Sequence, residues 1–391
     1  MNNDELQVLG IENKKNNSWK WIVAAVCVVL SIVFYLIYNR CSSTGNTLPM
    51  SQEGSTISPA LQHATDSLLN DKLTEINGLQ GQVIIMNVQT GEVLAMAGRE
   101  RNFEGKFQPC QNFAYQQELG SLMKTASLLV ALETGEVKLS DVVDVGNGIW
   151  QIDDDRIMKD HNWRRGGYGE VTLDRALEVS SNIGISKTIW SLFKGHEQDY
   201  FNKLDSMSFG QPNNIEGIEG LHSSVYNSPK DSDWVNKDIL WSAIGYDRKI
   251  APIQMLTFYN AIANNGKMVR PTLVPGTTEV INEQIAKSEN VALMQQTLEH
   301  VVSLGLGKLA GCERIKVAGK TGTSQVNEYY ERDNTVCEYH LTFCGYFPVD
   351  KPKYSMIVSM NKLGLPASGG GMAGDAFHNI LEWMIDNGMM K

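Results

Sequence analysis

Cysteine, positive charge and spaced histidines are all in short supply in this sequence. Six cysteines in 391 residues are too few for a disulfide-dense scaffold, and none stands in a C-x-x-C or Cys/His spacing that suits zinc. Lys+Arg 34 against Asp+Glu 44 leaves a net charge of −10, which argues against a phosphate-binding surface and against nucleic acid as a partner. The seven histidines (His63, His161, His196, His222, His300, His340, His378) form no spaced cluster, and no Gly-x-Ser-x-Gly elbow exists. A Ser-His-Asp hydrolase and a metalloenzyme are therefore not expected. There is no internal repeat. A hydrophobic fraction of 42% and a charged fraction of 20% are ordinary for a globular protein and exclude wholesale disorder or collagen-like repeats.

One long apolar run is present. Trp21 to Tyr38 carries no charged residue and only Ser31 is clearly polar. At 1.5 Å per helical residue it nearly crosses the ~30 Å hydrocarbon core of a membrane. Trp19, Trp21, Tyr35 and Tyr38 sit at its ends, where aromatic rings favour the headgroup zone. Lys14, Lys15 and Lys20 precede it and Arg40 follows, so residues 1–20 are expected to form a cytoplasmic tail and 21–38 a single-pass anchor. No small-residue cleavage site follows Tyr38, which favours a retained anchor over a signal peptide. The bulky, charged Tyr38-Asn39-Arg40 ahead of Cys41 disfavours a lipoprotein. Residues 39–57, rich in Ser, Thr, Gly and Asn, are expected to be a flexible tether. Cys41, Cys110, Cys312, Cys337 and Cys344 then face an oxidising compartment, and their odd number leaves at least one unpaired; the pairing itself stays open.

From residue 58 to the end, helix-like and strand-like segments alternate, which predicts one mixed α/β or α+β domain. Ser58 and Pro59 are an N-cap and N1 pair opening a helix that ends before Gly78. Gly81–Met86 and Glu92–Met96 flank the turn signal Thr90-Gly91 and read as a hairpin. Ser368-Gly369-Gly370-Gly371 is expected to turn the last strand into a final helix over 375–387.

Ser-x-x-Lys places an amine one helical turn from a hydroxyl, where it can take the serine proton if burial lowers its pKa. The pattern is common by chance: it occurs at Ser121/Lys124, Ser191/Lys194 and Ser359/Lys362. Context separates them. Ser121 follows Gly120 and opens an apolar helical run, whereas Ser191 falls near a helix end and Ser359 at the end of a strand. Ser180-Ser181-Asn182 sits where two helical runs meet; a serine at such a junction commonly caps a helix. Lys320-Thr321-Gly322-Thr323 continues the strand-like Ile315–Ala318, and a strand edge can hydrogen-bond an extended peptide, with Gly322 permitting close approach.

Taken in order, these motifs and their flanks resemble the transpeptidase domain of class B penicillin-binding proteins over roughly residues 80–391. GQVIIMNVQTGEVLAMAGR resembles its opening strand pair and ELGSLMKTASLLVALETGEV its nucleophile helix. GYGEVTLDRALEVSSNIGISKTIW is similar to the helix of its second motif, and VAGKTGTSQ to its anion-binding strand. Leu119 and Leu122-Met123 stand where the family commonly has proline and aromatic residues. About forty residues (39–79) stand where it normally has a sizeable pedestal.

The resemblance implies an α+β penicillin-binding transpeptidase or serine β-lactamase-like fold, an antiparallel sheet with an all-helical subdomain, over residues 58–391. It implies that Ser121 attacks the penultimate D-alanine carbonyl of a peptidoglycan stem peptide and that Lys124 is the base, helped by burial and the Lys320 cation. Ser180 relays the proton and Asn182 holds the substrate amide. Lys320, Thr321, Gly322 and Thr323 form the carboxylate-binding strand, and the backbone N–H groups of Ser121 and Thr323 the oxyanion hole. No cofactor or metal is implied. Stem peptides, β-lactams, a membrane and other wall-synthesis proteins are the implied partners, at a bacterial cell membrane with the catalytic domain outside. A β-lactamase or D,D-carboxypeptidase of the same fold, and a non-catalytic β-lactam sensor or scaffold, are the alternatives. No dedicated deacylation glutamate is assignable, and the intact motifs weigh against lost chemistry.

Overall fold

The computed structural model describes residues 54–111, 113–211, 215, 218, 220–331 and 334–390. The cytoplasmic-tail and anchor expectations (1–20 and 21–38), and the tether up to residue 53, lie outside the described residues. No helix among the described residues is long and apolar enough to cross a membrane. The last residues of the expected tether are not free: Thr56 donates its backbone N–H to the Leu273 carbonyl (3.0 Å) and its hydroxyl to the Val93 carbonyl (2.6 Å).

Helix α1 (Pro59–Glu75) starts at the expected Ser58–Pro59 pair, but the Ser58 side chain makes no capping bond. Proline at the first turn, already set near helical φ, suffices to begin the helix. Strands β1 (Gly78–Asn87) and β2 (Val93–Arg101) form the expected hairpin, and β3 (Phe107–Pro109) extends it. The chain then leaves the sheet. Helix α2 (Met123–Thr134) is followed by two short ribbons, β4 (Val142–Gly146) with β7 (Gly169–Thr172) and β5 (Ile149–Gln151) with β6 (Ile157–Lys159). Helices α3 (Leu173–Glu178), α4 (Asn182–Phe193), α5 (Gln198–Ser206) and α6 (Ile239–Ser242) come next. A ribbon of β8 (Val225–Tyr226) and β9 (Arg248–Lys249) precedes α7 (Pro252–Ala263). A ribbon of β10 (Met268–Val269) and β11 (Val280–Asn282) then precedes α8 (Ser288–Ser303). The inserted half is thus not all-helical. Glycines at positive φ (Gly146, Gly148, Gly166, Gly167, Gly169) break the helical pattern there and turn the chain into ribbons.

The chain returns to the sheet as β12 (Ala318–Glu331), β13 (Asn334–Phe347) and β14 (Tyr354–Leu363) and ends in α9 (Gly374–Asp386). The six-stranded sheet has the order β12-β13-β14-β1-β2-β3, and every neighbouring pair is antiparallel. Its two faces are read directly from period-2 alternation. Met356, Val358 and Met360 of β14 and Leu341 and Phe343 of β13 enter the core shared with α1 and α9, where Leu69, Leu73, Phe377 and Leu381 meet them. The residues between them turn to the opposite face. There Ser355 donates to the Asn260 side chain of the fully buried α7 at 2.7 Å, and Asn260 in turn donates to the Val88 carbonyl. This polar-studded face of β13 and β14 carries the segment that bears Ser121.

Candidate active site

Ser121 lies on a single 3-10 turn, Gly120–Leu122, that runs into α2. Gly120 has φ +54°, and a β-carbon there would sit 3.2 Å from Ser324 Cβ and 3.3 Å from the Thr323 carbonyl. Only glycine brings this turn so close to β12. The turn is also held from the sheet. The Glu118 carbonyl accepts hydrogen bonds from Ser324 Oγ (3.0 Å) and His340 Nδ1 (2.9 Å), and the Leu119 carbonyl accepts one from Thr342 Oγ1 (3.4 Å).

Lys124 is one turn further on and fully buried. Its Nζ donates to the Ser180 carbonyl at 2.6 Å and to Ser180 Oγ at 3.2 Å. Lys320, equally buried on β12, donates to the same Oγ at 2.8 Å and to the Thr321 carbonyl at 2.9 Å. One hydroxyl thus lies between two amines. Ser180 takes a left-handed φ of +54° to do so, unusual for a residue with a side chain and a local strain that the surrounding helices must hold. The Ser121 hydroxyl itself makes no hydrogen bond among the described residues.

Burial pushes the Lys124 amine down to about 7, against the opposing pull of the Asp160 carboxylate. Burial, with the Lys124 charge second, pushes Lys320 well below its ordinary value. The expected low Lys124 pKa is present with desolvation, one of its two expected causes; the repulsion between the amines weighs on Lys320 instead.

Asp160 carried no signal in the sequence, because no spacing or periodicity marks a lone aspartate. It is buried, and its Oδ1 accepts the backbone N–H groups of Asn182 (2.6 Å) and Ile183 (3.1 Å) while Oδ2 accepts the Ser181 hydroxyl (2.7 Å). An anion at the first turn of α4 complements the helix dipole. Ser181 Oγ accepts the Gly184 N–H at 2.9 Å, so Ser181, not Ser180, caps the helix, and the Ser180 side chain is left for the two amines. Asn182 donates its side-chain amide to the Lys159 carbonyl at 2.7 Å.

Strand β12 is an edge of the sheet, as an extended-peptide site requires. A β-carbon on Gly322 would come within 2.6 Å of the Leu119 carbonyl and 2.1 Å of Thr342 Oγ1, so glycine sets the contact between this strand and the Ser121 turn. Thr321 is buried and Thr323 exposed, and Thr323 Oγ1 accepts the Gly369 N–H at 2.9 Å. Gly369 opens the π-helical turn Gly369–Ala373 into which the glycine run folds.

The two other Ser-x-x-Lys pairs lie elsewhere. Ser191 donates to the Thr188 carbonyl of its own helix. Ser359 is not at a strand end but inside β14, buried, with its Oγ 2.7 Å from His340 Nε2 and 3.5 Å from Gln117 Nε2. Because the Glu118 carbonyl can only accept, His340 carries its proton on Nδ1, and its Nε2 accepts a hydrogen bond from the Ser359 hydroxyl. Burial holds the His340 pKa down to about 4, so the ring is neutral. Cys312, Cys337 and Cys344 are free thiols. No His/Cys/Asp/Glu group suited to a metal exists among the described residues.

A family model described as the penicillin binding protein transpeptidase domain matches residues 81–382. The chain is 24% identical over 371 residues to a peptidoglycan D,D-transpeptidase FtsI homolog of Mesostigma viride, covering 84% of this chain and 60% of that protein. It is 26% identical over 322 residues to stage V sporulation protein D of Bacillus subtilis, covering 76% of this chain and 48% of that one. The chain thus spans about half the length of these curated relatives. Among solved structures, the apo transpeptidase domain of Burkholderia pseudomallei penicillin-binding protein 3 superposes with a TM-score of 0.72 at 22% identity, over 86% of this chain and 97% of that one. The family match runs from within β1 into α9, across the sheet, the inserted half and the return strands, and on that extent the chain belongs to the penicillin-binding protein transpeptidase family.

Proposed function

We propose that this protein is a serine D,D-transpeptidase that cross-links peptidoglycan stem peptides and is acylated by β-lactams. The single observation that carries the reading is the Ser180 hydroxyl held between two buried amines, Lys124 and Lys320, next to the Ser121 turn. Neutral Lys124 takes the Ser121 proton as Oγ attacks the penultimate D-alanine carbonyl. Ser180, in contact with both amines, passes that proton to the departing D-alanine nitrogen. The Asn182 carbonyl oxygen accepts the substrate amide N–H. Lys320, Thr321 and Thr323 bind the terminal carboxylate along the edge of β12, with Gly322 letting the peptide backbone approach. The Ser121 and Thr323 N–H groups receive the oxyanion. Carboxylate binding raises the Lys320 pKa and, through repulsion, favours the neutral form of Lys124. The amine of a second stem peptide then takes the acyl group from Ser121.

Transfer to an amine rather than to water is supported by the carboxylates around Ser180. Asp160 is saturated by three donors, and Glu178 is bonded to Arg175 and faces His300, so neither is free to activate water. The run from Trp21 to Tyr38 supports a single-pass anchor behind a cytoplasmic tail of residues 1–20, with the tether and the domain of residues 58–391 outside the bacterial cell membrane, where other wall-synthesis proteins are accessible. Labelling with a fluorescent penicillin tests the chemistry: the intact protein takes the label and Ser121→Ala does not. Equal labelling of both would refute Ser121 as the nucleophile.

A further inference from the structure

The peptide that precedes Tyr168 is bound along the start of α4. The Lys159 carbonyl accepts the Asn182 amide, and the Asp160 carboxylate accepts the next two backbone N–H groups. His161 is therefore the first side chain beyond this anchored pair. It is exposed, its ring lies 5.7 Å from that of Tyr168, and its Nε2 is 3.0 Å from the Tyr168 hydroxyl. Its Nδ1 has no hydrogen-bond partner among the described residues.

The groups bearing on His161 are the amines of Lys124 and Lys320, the Asp160 carboxylate, the Arg165 guanidinium and the Tyr168 phenol. Desolvation and the cations hold it below its ordinary 6.5, so it is neutral at pH 7. The phenol of Tyr168 is pushed up and stays protonated. The contact with the Tyr168 hydroxyl forms with either ring tautomer; in the one that gives Nε2–H to the Tyr168 oxygen, Nδ1 is a base at the surface, and the proposal below takes that tautomer.

An amine acceptor reaches such a site with one proton too many. Free in water it is an ammonium, which has no lone pair and cannot attack an ester. Lys124 and Ser180 already have a task. They carry the proton released when the C–N bond forms back to Ser121 Oγ as the ester C–O bond breaks. The earlier proton, lost when ammonium becomes amine, needs another acceptor.

We propose that His161 is the base that takes the proton from the incoming acceptor ammonium beside Ser180, so that the acceptor attacks as a neutral amine. This rests on the transpeptidase reading above. The proton moves from the acceptor nitrogen to His161 Nδ1, which passes it to bulk water; the freed lone pair forms the bond to the acyl carbon.

The test uses the full-length protein, a thioester donor ending in a D-alanyl group and D-alaninamide as acceptor, with amide and hydrolysis products measured across pH. An α-amine has an ordinary pKa of about 8. In His161→Gln the ratio of aminolysis to hydrolysis at pH 7 falls about tenfold, the factor by which an amine of pKa about 8 is protonated at that pH. The deficit closes above pH 9, where the acceptor is already neutral, and added imidazole restores the ratio at pH 7. An unchanged ratio, or a deficit constant across pH, overturns the proposal. Failure of the parent protein to form an acyl-enzyme at Ser121 would sink the transpeptidase reading itself.

Discussion

At the residue scale, the proposed chemistry turns on two buried lysines and the left-handed Ser180. Lys124, held down to about 7 by burial, must be neutral to accept the Ser121 proton. The acylation rate is accordingly expected to rise as pH increases through about 7, three units below the ordinary lysine value of ~10.4. Lys124→Arg keeps a permanent charge and is expected to lose acylation. Asp160→Asn removes the charge that holds the Lys124 pKa up, so the rising limb moves to lower pH; stopped-flow acylation by a chromogenic β-lactam across pH 5–9 reads both variants. A limb that stays in place after Asp160→Asn would remove Asp160 from the electrostatics of the base. Ser121, Lys124, Ser180, Asn182 and Lys320 were singled out in the sequence by context and by the family resemblance, since Ser-x-x-Lys alone occurs three times; of these the structure brings Lys124, Ser180 and Lys320 into hydrogen-bond contact. Asp160 was not singled out, because a carboxylate that reaches the start of α4 from a loop is placed by tertiary contacts alone.

At the scale of elements, the hairpin of β1 and β2, the helices on both sides of Ser180 and the β12 edge follow from alternation, turn residues and apolar spacing. What local pattern does not reveal is which face of β14 meets which neighbour. Ser359 reads as the end of a strand, yet the register pairs it with Thr342 inside the sheet and points it at His340. It thereby becomes part of a buried chain, Gln117 to Ser359 to His340 to the Glu118 carbonyl, that steadies the segment before Ser121. Ser359→Ala leaves His340 Nε2 and Gln117 without that partner, and is expected to cost about 1–3 kcal/mol, the penalty for an unsatisfied buried polar group. The variant is expected still to take a penicillin label at Ser121. Denaturant unfolding alongside labelling checks this, and a Ser359→Ala protein that keeps full stability would show that the chain contributes nothing. Because His340 is held near 4 while an unfolded histidine titrates near 6.5, the unfolded state binds a proton that the folded state refuses between these values. That contribution to stability is complete above the unfolded value and is lost as pH falls from about 6.5 to about 4.

At the scale of the whole described domain, a six-stranded antiparallel sheet supplies Lys320 from its edge strand β12 and a mixed helix-and-ribbon half supplies Lys124 and Ser180. The alternation of segments left α/β and α+β open and the family resemblance pointed to α+β, whereas the ribbons of residues 142–172 were not legible, since strands of three to five residues are too short for periodicity to register. On the proposed topology, three lysines before the apolar run and one arginine after it keep the tail inside and send the domain out. A C-terminal reporter that works only when exported is expected to be active, and protease digestion of the domain from the cytoplasmic side would contradict that arrangement. The central claim, a serine acyl-enzyme kept from water for an amine, is tested most directly by intact-protein mass spectrometry after mixing the protein with penicillin. The account predicts one penicilloyl group per chain, located on Ser121, absent from Ser121→Ala, present as in the parent in Ser191→Ala, and persisting far longer than one catalytic cycle. Rapid multiple-turnover hydrolysis of penicillin, with the protein returning to its free mass, would contradict it and assign the site to a β-lactamase.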